Sequence, residues 1–137
     1  LSLTPHAQAT GRGPCSEDRY EVTRSMPTET RVHKMRALIR CVFDELGVAS
    51  QTSTAFYVAD RESNYWPWAV NQASSDPYDC LGLFQHMRRY WDGRAAAYLP
   101  ARYFPNPDGP GALNARANAW VTARMVRASG WSAWSTA

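Results

Sequence analysis

Lysine is almost missing from this chain: Lys34 stands alone against fourteen arginines. The net charge is only +3 and no basic run occurs, which argues against a nucleic-acid binder. So small an excess suits an anionic polymer as a partner, and plain solvation accounts for it equally well. Histidine is scarce too. His6, His33 and His86 are scattered, and no Cys or His spacing resembles a metal site, so no metal and no cofactor are expected. No stretch approaches the roughly 18 apolar residues of a membrane-spanning helix, so no membrane role is expected. The chain opens on Leu1 rather than Met and shows no basic-then-apolar leader. It reads as a mature or excised segment, one module of a longer protein.

Cysteine is limited to Cys15, Cys41 and Cys80. Three thiols allow at most one intramolecular disulfide. Cys41 falls near an apolar helical face and reads as a plain buried thiol. Cys15 and Cys80 fall in loop-like sequence and can bridge if the compartment is oxidising.

What is present is helical periodicity. The 137 residues suit one domain with one core. Residues 1–27 are punctuated by Pro5, Gly11, Gly13, Pro14 and Pro27 and lack apolar period, so they read as an irregular arm or linker. Val32, Met35, Leu38, Ile39, Val42, Phe43 and Leu46 mark one face of a helix over 28–46, with Gly47 as its stop. A second helix is expected from the Ser/Thr cluster at 52–54, which offers N-caps. On it Ala55, Val58 and Glu62 share a face. Pro67 and Pro77 forbid a continuous helix through 64–80. A short helix is expected from Leu83 to Trp91, ended by Asp92-Gly93. A third clear helix is expected from Leu113 to Ser129, closing at Gly130, and Trp131 and Trp134 read as a tail packed back on the core.

Glu62 is the residue of most interest. It stands at the end of an apolar helical pattern, just before a loop dense in aromatics. An acid at such a boundary is half desolvated, which favours its protonated form and makes it a possible general acid toward a sugar oxygen.

The runs Arg61-Glu62-Ser63, Ala69-Val70-Asn71, Gly82-Leu83-Phe84-Gln85, Asn114-Ala115-Arg116-Ala117 and Gly130-Trp131-Ser132-Ala133-Trp134 follow one another in order. Together they resemble the lysozyme-like superfamily, most similarly the soluble lytic transglycosylase and goose-type lysozyme branch, including actinobacterial and phage cell-wall lysins. The resemblance covers roughly residues 50–137. It implies a mainly α (α+β lysozyme-like) fold: a compact helical domain, 28–137, with at most a small β-hairpin beside a substrate cleft. It implies a secreted or cell-wall-acting enzyme, expected to be monomeric. The enzyme would cleave the β-1,4 bond between N-acetylmuramic acid and N-acetylglucosamine in peptidoglycan glycan strands, with Glu62 as general acid. A non-catalytic module that only grips glycan on the same fold is the alternative.

The resemblance implies roles for other residues. Ser63 would orient the acid or the substrate, Gln85 would line the cleft, and Asn114 would open the last helix. Glycosidic cleavage also needs its oxocarbenium-like charge met, by a second carboxylate, by an activated water or by the substrate's own acetamido oxygen. Asp79, and after it Asp76, are the candidate second carboxylates, and both also read as turn residues. Asp60, two residues from Glu62, is expected on another side of the helix. Tyr65, Trp66, Trp68 and Tyr78 can stack on sugar rings or simply pack. Arg88, Arg89 and Arg94 read as an anion-facing cluster or a solvated helix face. The crowded Tyr65-Trp66-Pro67-Trp68 stretch departs from relatives that often carry Gly and Asn there.

Overall fold

The computed structural model describes residues 13–72, 78–105 and 109–137. Among these residues four α-helices carry the fold: α1 (Thr28–Glu45), α2 (Thr52–Ser63), α3 (Arg88–Tyr98) and α4 (Ala115–Ser129). Three two-residue strands form one antiparallel sheet in the order β1 (Val70–Asn71), β2 (Cys80–Leu81), β3 (His86–Met87). Val70 pairs with Leu81, and Leu81 in turn with His86. The architecture is therefore mainly helical, with three strands where a hairpin was the most expected. No described helix is long and apolar enough to cross a membrane.

The core is the predicted face of α1 laid against α4. Met35, Leu38, Ile39, Val42 and Phe43 are fully buried, as are Ala119, Val121 and Ala123 opposite them. Each large apolar side chain removed from water this completely contributes about 1.5–3 kcal/mol. Small residues on α4 let the two helices approach closely. Trp131 stacks on Phe43 at 6.1 Å between ring centres, and Trp134 is buried, so the tail does pack back on the core.

Helix ends differ from the periodicity in three places. The Ser/Thr cluster does not cap α2: Gln51 is its N-cap, without a side-chain bond. α4 starts two residues later than Leu113, because the Asn114 side chain accepts the Ala117 N–H at 2.9 Å and fixes the start there. The expected helix over Leu83–Trp91 is replaced by α3, which begins at Arg88 and runs through Asp92 and Gly93. Gln85 takes a left-handed conformation (φ 57°), which a helix interior does not admit, so Gly82–Gln85 is a turn.

The cysteine reading is corrected as well. Cys15 bridges Cys41, with Cα atoms 5.9 Å apart, and Cys80 is the free thiol. Cys41 ties the arm to the edge of the core, and Cys80 lies on the central strand. The described part of the arm, 13–27, is held to the helical body. Val22 is buried, and the Arg116 Nε donates to Pro14 O at 3.1 Å.

Candidate active site

The end of α2 is set by backbone geometry. Asn64 and Tyr65 are both left-handed (φ 52° and 60°), and their N–H groups return to Asp60 O and Ala59 O. Two consecutive non-glycine residues there cost about 1–2 kcal/mol each, so the surroundings must hold them. Arg31, buried under this bend, donates to Asn64 O at 3.2 Å with its guanidinium 4.0 Å from the Trp66 ring centre. The bend leaves Glu62 on the last helical turn, partly exposed, and leads the chain directly into β1.

A set of buried polar side chains locks this helix end to the Gly82–Gln85 turn. The Ser63 hydroxyl lies 2.8 Å from Leu83 O and 3.0 Å from Ala59 O, its single proton shared between them. Gln85 donates to Gly82 O (2.9 Å) and Ala69 O (3.2 Å) and accepts from Asn71 Nδ2 (2.7 Å). From α4, Asn118 accepts the Phe84 N–H at 2.8 Å and donates to Leu81 O and Ala112 O. Gly82 is obligatory. Its φ is 81°, and a Cβ there would meet Ala112 O at 2.2 Å and Asn118 Nδ2 at 2.4 Å.

Beneath the turn His86 is fully buried. Arg94 can only donate, so its contact at 3.0 Å makes His86 Nδ1 the acceptor. His86 Nε2–H then donates to Thr122 Oγ1 at 2.8 Å, and that hydroxyl donates to Asn118 O at 2.9 Å. Burial, helped by the charge of Arg94, pushes the His86 pKa down to about 3, so the ring is neutral. Trp134 Nε1–H closes the turn from the tail at Phe84 O, 2.8 Å away.

A second set of groups, Glu62, Asp79, Cys80 and Tyr78, is less fully tied. Glu62 accepts one hydrogen bond, from the Thr136 hydroxyl to Oε2 at 2.9 Å, and Oε1 has no hydrogen-bond partner among the described residues. Asp79 is buried, 3.6 Å from Arg88 Nη2. Cys80, next along the chain, is partly exposed. Its thiol pKa is pushed up by burial and then by the negative charges of Glu62 and Asp79. Tyr78 is about half exposed, its hydroxyl accepting from Arg89 Nη1 at 3.1 Å.

The structure thus leaves Glu62 and Tyr78 partly open to solvent, buries Asp79 beside Arg88, and puts Ser63 and Gln85 into the supporting frame. Asn114 is the N-cap of α4. Tyr65 is buried, its hydroxyl donating to Phe56 O and accepting from Arg36, so its ring is held by packing. Asp76 lies outside the described residues. Two cavities near the helices, of about 260 and 560 Å³, include none of Glu62, Asp79 or Tyr78. Sequence reasoning missed Thr136 and Cys80 as neighbours of Glu62. The Thr136 contact spans 74 positions, and no local pattern announces it. Compared with protein-family models, with curated proteins and with solved structures, the chain matches none.

Proposed function

We propose that this chain is a peptidoglycan-cleaving glycosidase, acting on the β-1,4 bond between N-acetylmuramic acid and N-acetylglucosamine, with Glu62 as its general acid. The observation that carries the reading is the contrast around Glu62. Its helix end is locked to the Gly82–Gln85 turn by Ser63, and Gln85 ties that turn to Ala69 and Asn71, while the Glu62 carboxyl keeps Oε1 without a hydrogen-bond partner among the described residues. A proton donor to a leaving-group oxygen needs such a fixed base and a free atom. Asp79, buried and tied to Arg88, is the candidate for meeting positive charge. Half-exposed Tyr78 offers a stacking face. The Cys15–Cys41 bridge suits the oxidising setting in which a secreted, wall-acting protein works. Lytic transglycosylase and muramidase chemistry are both compatible with these groups.

The test is lysis of purified cell walls. Glu62→Gln is expected to keep its melting temperature and lose at least about 10²-fold in rate, the scale of one general acid. Wild-type lysis by that variant removes the mechanism. A wild-type protein that binds walls without cutting them establishes the binding module instead. Mass spectrometry of products then separates the chemistries: anhydro-muramyl ends mean a transglycosylase, reducing ends a hydrolase.

A further inference from the structure

We propose a second saccharide site, on the outer face where α1 meets α2, that takes a pyranose bearing a carboxylate. The two helices leave a groove of about 560 Å³ there, lined by Arg36, Ser53, Phe56, Tyr57, Asp60 and Tyr65. Its size falls within the range of roughly 300–1,000 Å³ usual for small-ligand sites. It is separate from Glu62. Asp60 is two residues earlier on α2 and so projects about 200° around the helix from Glu62.

The groove wall is preset. Tyr65 holds Arg36 through a 3.2 Å bond from Nε, and the guanidinium lies 4.7 Å from the Phe56 ring centre. That leaves the terminal nitrogens of Arg36 without a hydrogen-bond partner among the described residues. The Asp60 carboxylate accepts no hydrogen bond among the described residues, and no ion pair joins it to Arg36. A carboxylate and a guanidinium therefore face one groove without neutralising each other. A ligand that serves both must carry donors and acceptors together on one small body. Half-exposed Tyr57 adds a flat apolar face. Sugar hydroxyls supply the first requirement and the C–H face of a pyranose the second.

The rim carries the charge preference. Arg40 lies 5.3 Å from the Phe56 ring centre and Arg61 5.5 Å from that of Tyr57. Three guanidinium groups against the one carboxylate of Asp60 leave the groove positive. An added carboxylate on the sugar meets Arg36 in the paired geometry that guanidinium favours. On the proposed function this sugar is a muramyl unit of the wall, but the groove chemistry does not depend on Glu62.

The experiment titrates the Glu62→Gln protein, which cannot turn over, with N-acetylmuramic acid and with N-acetylglucosamine, following backbone amide resonances. Saturable shifts are expected at Ser53, Tyr57 and Asp60. The muramic acid should bind about three- to tenfold tighter, an advantage that fades at high salt as screening removes the charge term. Tyr57→Ala should weaken both sugars about tenfold. Arg61→Gln, at the exposed rim, should narrow the preference, and Arg36→Gln should abolish it. Shifts confined to Cys80 and Tyr78, equal affinity for the two sugars, or unchanged binding in Tyr57→Ala would each overturn the site. Lysis by Glu62→Gln would overturn the enzyme reading alone.

Discussion

Toward α4, the Gly82–Gln85 turn rests on Asn118, whose amide makes three hydrogen bonds and has both N–H donors engaged. Toward the end of α2, it adjoins Glu62, whose carboxylate accepts one hydroxyl. The first arrangement fixes a shape, since a satisfied buried network tolerates no alternative partner. The second leaves room for a further partner. Rigidity and reactivity are thus divided between neighbouring groups on either side of a four-residue turn.

The sharpest way to break this comparison is Asn118→Ala. It strands the Phe84 N–H and the carbonyls of Leu81 and Ala112 in a site with no exposure. At about 1 kcal/mol or more for each orphaned group, the loss is about 3–5 kcal/mol. For a domain of this size that lowers the melting temperature by roughly 10–15 °C. Glu62→Gln should change stability by no more than about 0.5 kcal/mol. Similar losses in calorimetry of the two variants would erase the distinction between frame and site.

His86 sharpens the same comparison through pH. Its folded pKa, about 3, lies below the ordinary histidine value of 6.5, so the unfolded chain binds a proton that the folded chain refuses. Stability is therefore present above pH 6.5 and is lost as pH falls from there toward 3. The slope from one proton approaches about 1.4 kcal/mol per pH unit. Denaturant titrations across pH 4–6 should show it. His86→Gln should remove that part of the slope, and an unchanged slope would mean that the ring is not held neutral.

How much of this was legible follows from the range of each interaction. α1 was readable almost to its ends because seven apolar residues keep one period. The place of Glu62 was readable because a helix face and a helix stop adjoin. The strands are two residues long, too short to show alternation. Leu83 and Phe84 resemble the apolar start of a helix, yet they are buried because a turn is enclosed by α4 and the tail. The partner of Cys15 depended on the arm crossing α1, which spacing does not encode. Asn118, His86, Thr122 and Thr136 each act across more than thirty positions, so they leave no local trace.

Thr136 offers a smaller effect on the reactive side. Its hydroxyl is the one hydrogen-bond donor to Glu62 among the described residues, so it steadies the carboxyl rotamer. On the proposed mechanism, Thr136→Val should lower kcat for wall cleavage about tenfold, the worth of one bond to a charged group, and leave KM nearly unchanged. Thr136→Ser should restore most of the rate. Equal loss in both variants would point to tail packing rather than to the hydroxyl.

The smallest effect is read at Cys80, and it needs no cell wall. Cys15 and Cys41 are bridged, so Cys80 is the one thiol that a folded sample offers to iodoacetamide. Burial and the charges of Glu62 and Asp79 raise its pKa, which keeps it protonated and slow to react at neutral pH. Removing either charge should lower that pKa and speed alkylation. Glu62→Gln and Asp79→Asn should therefore each react faster than the parent, while Asp60→Asn, which faces the other groove, should not. If both neutralised variants alkylate at the parent rate, the two carboxylates do not share a site with Cys80, and the grouping of Glu62 with Asp79 is lost whatever the protein proves to cut.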